Sequence, residues 1–224
     1  MKNPWLQLSK DSPFILPCDA KLINIFNNRW CDTPFEIILD EIPSPYIGNP
    51  ESPVFFLNLN PAYSLEESNS PLINQYRKIA RNNLLHEFKD YPFYVLNPLL
   101  VGTPSGYCWF KEKFNPLIKA INISKQEISK KIFLAEYFPY RSKKYKWGND
   151  ILPSQKYTIS LIEKAIVRNA IIVIMRGRKL WFSLMPALKK YPNCYILHSP
   201  QNVTISEKNL GVDGFKIVVE SLRK

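Results

Sequence analysis

The chain has no Cys-x-x-Cys pair. Its four cysteines, Cys18, Cys31, Cys108 and Cys194, are scattered, which leaves zinc ribbons and dithiol redox motifs without support. Reduced and mostly buried thiols are the expectation. No apolar run is long enough to span a bilayer, and the densest one, residues 170–175, fits a buried strand. The N-terminus shows no signal-peptide pattern, because Lys10 and Asp11 interrupt it before an apolar segment forms. These absences predict a cytoplasmic protein with no membrane partner. Internal repeats, low-complexity tracts and linkers are also missing. A single domain over residues 1–224 follows, large enough to bury a core without staples. Only two histidines exist, His86 and His198, and His86 falls within a helical pattern.

Charge is what the chain has in excess. Thirty basic residues against 19 acidic ones give a formal net charge of +11. That balance favours a polyanionic partner, nucleic acid before membrane, since no basic amphipathic helix stands out. Colloidal solubility is the alternative reading of the same number. An apolar content of 46% is typical of a folded globular chain.

Residues 1–53 are rich in proline and aromatics, with weak periodicity apart from a helix near 19–28. They read as a wrapping segment. From residue 54 a rhythm begins. Strands are predicted at 54–59, 93–96, 132–137, 171–175 and 195–197, the clearest being near-continuous apolar runs. Helices are predicted at 71–88, 111–121, 125–130, 153–169, 178–190 and 212–222, the one at 178–190 interrupted by Pro186. Alternation of this kind predicts a three-layer α/β/α sandwich around a central, mainly parallel sheet.

Two polar turns follow apolar strands. Val54-Phe55-Phe56-Leu57 leads into Asn58-Leu59-Asn60-Pro61-Ala62-Tyr63-Ser64, and Cys194-Tyr195-Ile196-Leu197 leads into His198-Ser199-Pro200-Gln201-Asn202. In an open parallel sheet, ligands bind at the carboxyl ends of the strands, so both turns are expected at one crevice. The 132–137 strand ends in Glu136, which either faces that crevice or pairs with a neighbouring Lys or Arg. Beyond it, Arg141-Ser142-Lys143-Lys144-Tyr145-Lys146-Trp147 interleaves cations with aromatics, a pattern suited to phosphates and stacked bases. Arg176, Arg178 and Lys179 add cations to the same edge. The 98–110 segment, with Gly102, Gly106, Tyr107 and Trp109, is the candidate source of a stacking aromatic.

The Asn-Pro and His-Ser-Pro turns, in this order and strand context, resemble the two active-site motifs of the uracil-DNA glycosylase superfamily over residues 54–205. The scattered cysteines do not look like those of its iron–sulfur members. The resemblance implies a glycosylase that flips a nucleotide out of the duplex and hydrolyses its N-glycosidic bond, without metal or cofactor. Asn60 would orient the attacking water and His198 would donate toward the departing base. His198 either holds the family's histidine position on a shortened turn, or Ser199-Pro200 aligns and that function is displaced. Asn58 stands where the family has glycine. Pro61, Ala62, Tyr63, Trp109 and Glu136 would surround the base. Arg141, Lys143, Lys144, Ser199, Gln201 and Asn202 would touch DNA, with Gln201 as the wedge.

Ala62 occupies the place of a tyrosine that blocks C5 in one branch of the family. A carboxylate at Glu136 would accept from cytosine N4 and repel uracil O4. Together they point to a 5-substituted cytosine, hydroxymethylated or glucosylated as in phage DNA, excised by a monomer acting in antiviral defence. The alternatives are a uracil or mismatch repair glycosylase and an inactive DNA-binding protein on the same fold.

Overall fold

In the computed structural model the described residues are 1–63, 65–100, 106–148 and 150–224. Five strands form one sheet: β1 Tyr46–Gly48, β2 Val54–Asn58, β3 Ile132–Glu136, β4 Ile171–Ile174 and β5 Cys194–Ile196. Their order is β1-β3-β2-β4-β5. The β3-β2-β4-β5 pairs are parallel, and only β1 runs antiparallel, against β3. Val54, Phe55, Phe56 and Leu57 are fully buried, which explains why β2 reads as a continuous apolar run without alternation.

The helices are α1 Pro17–Trp30, α2 Leu65–Ser68, α3 Ile73–Leu84, α4 Gly106–Ile121, α5 Lys125–Lys131, α6 Gln155–Val167, α7 Arg178–Leu184, α8 Glu207–Leu210 and α9 Val212–Arg223. Adjacent strand residues point to opposite faces. Phe56 meets Phe114 of α4 edge-on at 4.9 Å, while Phe55 lies tilted beside Phe133 at 4.4 Å. Phe133 in turn touches Tyr46, which contacts Tyr157 of α6. Helices therefore cover both faces of the sheet, in three layers.

Two differences from the predicted elements have local causes. Residues 93–96 form a 3₁₀ turn over Tyr94–Leu96 and not a strand. Four consecutive buried apolar residues carry no period that distinguishes the two, and Pro92 and Pro98 bracket the run. Strand β1 lies in the segment read as wrapping. It is three residues long, and Gly48 closes it at φ +111, where a Cβ would lie 2.3 Å from the Ile132 carbonyl oxygen. Helix α3 stops earlier than its apolar pattern because His86 adopts a left-handed backbone at φ 59. The interruption expected at Pro186 is present: α7 ends at Leu184 and a 3₁₀ turn, Pro186–Lys189, follows.

The rest of the first 53 residues does wrap, and it holds the loop that follows β3. Asp19, fully buried on α1, accepts from the Tyr140 hydroxyl at 2.8 Å and from Ser154 N at 3.1 Å. Ile38 N donates to Arg141 O at 2.9 Å and Ser44 N to Pro139 O at 2.9 Å. Residues 139–148 are thereby held beside the carboxyl ends of β2 and β3, and Ser154 is tied to the same helix.

Candidate functional site

At those carboxyl ends lies a cavity of about 190 Å³. Asn58 and Glu136, register partners on β2 and β3, form its floor. Asn60, Pro61 and Ala62 supply one wall, Trp109 and Phe110 of α4 another, and Tyr76, Arg141 and Arg176 also line it. Tyr63 is half-buried and outside this lining. Gly102 and the side chain of Tyr107 lie outside the described residues.

The Asn60 turn is held by the loop after β3. Ala62 bridges to Ser142, and Tyr63 N donates to Ser142 O at 3.2 Å. Asn60 Nδ2 donates to Ser142 Oγ at 3.2 Å and to Pro61 O at 3.3 Å. With its amide nitrogen so engaged, Asn60 keeps Oδ1 as an acceptor that the described residues do not use.

Arg141 is not an exposed phosphate ligand. Its residue is 7% exposed. Nε donates to Ile42 O at 3.2 Å, Nη1 to Ala62 O at 2.9 Å, and Nη2 to the Tyr76 hydroxyl. The bridge between Ile38 and Arg141 draws this residue under the N-terminal segment, which explains its burial. Lys143 and Lys144, the next two cations, are exposed as expected of a rim.

Glu136 is 5% exposed, and among the described residues it makes no ion pair. Asn58 Nδ2 donates to its Oε1 at 3.1 Å. Burial pushes the carboxyl up to about 8, with the Asn58 hydrogen bond and the charges of Arg176 and Arg141 opposing the rise. The group is thus mainly an uncharged acid near neutrality. In that form the carboxyl can donate as well as accept, whereas the expectation was of an acceptor alone.

His198 does not join Asn60 and Glu136 in the cavity. It is exposed and lines a second groove of about 430 Å³ that shares Arg176. The reason is topological. His198 follows β5, the edge strand, and its backbone N–H is tied to Asn209 O at 2.8 Å. The turn after it is largely self-contained. Ser199 Oγ accepts from Asn202 N at 3.2 Å, and Asn202 Oδ1 accepts from Thr204 Oγ1 at 2.8 Å. Asn202 Oδ1 also accepts from Lys113 Nζ of α4 at 3.4 Å, so the Ser199 and Asn202 side chains are engaged within the protein, while Gln201 is exposed. Arg176 joins the two regions: its Nε donates to Pro200 O at 3.2 Å and its Nη2 to Gln201 O at 3.4 Å.

No family model matches this chain, and neither does any curated protein or solved structure.

Sequence reasoning treated Asn58 only as a substitute for glycine. A lone polar residue closing a fully apolar strand was the signal that it faces something. Tyr76 and Ser142 were also missed, because their roles come from the wrapping of the first 53 residues. As a whole, the cavity offers two aromatic rings set edge to face, an acid on its floor that burial keeps largely protonated, two arginines and an asparagine carbonyl. It suits a planar heterocycle that gains negative charge. No helix among the described residues is long and apolar enough to cross a membrane.

Proposed function

We propose that this protein is a DNA glycosylase that takes a flipped pyrimidine into the cavity between Asn60 and Trp109 and hydrolyses its N-glycosidic bond. The observation that carries the proposal is the convergence of Asn60, Glu136 and Trp109 on one cavity at the carboxyl ends of β2 and β3. Flipping is needed because the reacting atoms are shielded within the base stack. The net charge of +11, with Lys143 and Lys144 exposed beside the site, supports binding to the DNA backbone.

In the proposed reaction Trp109 stacks on the base. Asn60 Oδ1 accepts a hydrogen bond from a water molecule and turns its lone pair toward C1′. The C1′–N bond breaks, its electron pair leaves with the base, and water oxygen bonds to C1′ and gives up a proton, which neutralises the departing base. Arg176 and Arg141 offset the charge growing on the base, as fixed cations aimed at developing charge do. His198 lines the neighbouring groove and not this cavity. Arg176 already lines the cavity.

The substrate class we propose is a 5-substituted cytosine, of the kind found in phage DNA. Ala62 places a methyl-sized side chain in the cavity lining. Two observations favour other readings. An acid at Glu136 can donate to O4, which suits uracil and a repair role. The absence of His198 from the cavity lining suits a DNA-binding protein without activity. Single-turnover release of base from duplexes carrying uracil, cytosine, hydroxymethylcytosine or its glucosylated form separates the three. Preferential release of a modified cytosine supports the proposal, uracil release alone supports repair, and binding without release supports the inactive reading.

A further inference from the structure

Native proteins leave few buried polar atoms without partners, and each one calls for an explanation. Among the described residues, Asn58 Oδ1 and Glu136 Oε2 are both buried and both unpartnered. They belong to register partners on adjacent strands, joined to each other through Asn58 Nδ2 and Glu136 Oε1. Both residues line the same cavity, and both are at least nine-tenths buried, at 5% exposed each. The shared hydrogen bond orients the pair. It occupies one polar atom of each group and leaves the other, Asn58 Oδ1 and Glu136 Oε2, without a partner among the described residues.

We propose that Asn58 and Glu136 act as one two-point reader for a ring edge that carries a hydrogen-bond acceptor beside an amino donor. The edge of cytosine formed by N3 and N4 has this pattern. Asn58 Oδ1 accepts from the amino group, and Glu136 Oε2, carrying the acid proton, donates to the ring nitrogen. Oε1 cannot take that role, because it already accepts from Asn58. Burial keeps the proton on the carboxyl near neutrality and so supports the arrangement. This gives Asn58 a binding role and makes the base specificity a property of the pair. The inference rests on the glycosylase reading only for the source of the base, since recognition of the edge precedes any chemistry.

The test uses the intact wild-type protein and four small probes, with binding measured by calorimetry or by NMR. They are 1-methylcytosine, 1-methylpyrimidin-2-one, which lacks the amino group, 1-methyl-3-deazacytosine, which lacks the ring acceptor, and 1-methyluracil. Loss of one buried hydrogen bond leaves its protein partner unpaired, so each deleted analogue should bind about tenfold or more weakly than 1-methylcytosine. Asn58→Leu should erase the preference for the amino group, while Asn58→Asp, which keeps an acceptor, should retain it. Equal binding of 1-methylcytosine and its two deleted analogues, no binding of 1-methylcytosine, or tighter binding of 1-methyluracil would overturn the proposal. The wild-type analogue series decides the matter even if a variant fails to fold. Selective binding without excision of any base would uphold the reader and remove the glycosylase reading. Excision without analogue selectivity would do the reverse.

Discussion

Replacement of Arg141 by Met separates a structural arginine from a phosphate-binding one. Methionine keeps much of the apolar stem and deletes every donor. The guanidinium donates to Ile42 O, Ala62 O and the Tyr76 hydroxyl, so it ties the N-terminal segment, the Asn60 turn and α3 to the loop after β3. Hydrogen bonds from a charged group contribute about 1.5–3 kcal/mol each, but desolvation of the buried cation offsets part of the sum. Breaking such a buried arrangement typically costs about 3–5 kcal/mol. For a domain of this size each kcal/mol lowers Tm by about 2–4 °C, so Arg141→Met should lose about 6–20 °C. The carbonyl of Ala62 would also be released, and with it the turn that positions Asn60, so base release should fall further than stability alone requires. Thermal melts followed by circular dichroism, alongside DNA binding at several salt concentrations, provide the readout. An unchanged Tm with a salt slope shallower by about 0.9 would return Arg141 to the DNA backbone and refute this account of its burial.

The exposed cations predict the opposite pattern. Lys143→Ala with Lys144→Ala should leave Tm within about 2 °C and reduce the salt slope by up to about 0.9 per lost phosphate contact, read from binding isotherms. Stability should respond to pH in two windows. Glu136 is raised from 4.5 to about 8, so its contribution is complete below 4.5 and is lost as pH climbs through 8. Glu136→Gln should flatten that decline between pH 4.5 and 8 in urea melts. Burial lowers His86 from 6.5 to about 4, so its contribution is complete above 6.5 and is lost as pH falls through 4. His86→Gln should flatten the acid limb alone. Arg176→Ala should slow base release more than it weakens DNA binding, whereas equal losses in both would make it a DNA contact only.

The strands that build the floor of the site were legible because β2, β3 and β4 are buried on both faces and so read as uninterrupted apolar runs. The helices α3, α6 and α9 were legible from their apolar stripes. Strand β1 was not, since three residues among prolines carry too little pattern to register. The Tyr94–Leu96 turn was misread for the same reason: a short apolar run has no period of its own. In the site, Asn60, Ala62 and Glu136 could be expected at one crevice because they lie at or just beyond the carboxyl ends of buried parallel strands, whereas Trp109 was expected there only through the family resemblance. The burial of Arg141 could not, because it depends on where residues 34–45 run. The separation of His198 from the cavity follows from β5 lying at the edge, beyond β4, and strand order across a sheet is not written in spacing along the chain. One expectation for Glu136 was pairing with a neighbouring Lys or Arg, but the structure supplies the Asn58 amide in a buried setting, and burial without an ion pair favours the protonated acid.

The central claim is that this cavity releases a base from DNA, and Asn60 supplies its most direct test. Wild-type protein and Asn60→Ala would be incubated, in excess over substrate, with labelled duplexes carrying glucosylated hydroxymethylcytosine, hydroxymethylcytosine, cytosine or uracil. Alkaline cleavage then counts abasic sites. The account predicts abasic sites with wild type, most of all at a modified cytosine. It also predicts a loss of at least about a hundredfold in Asn60→Ala, in line with removal of a single positioned catalytic group, with Tm and DNA affinity retained. Absence of abasic sites in every duplex, or equal release by Asn60→Ala and wild type, would contradict it.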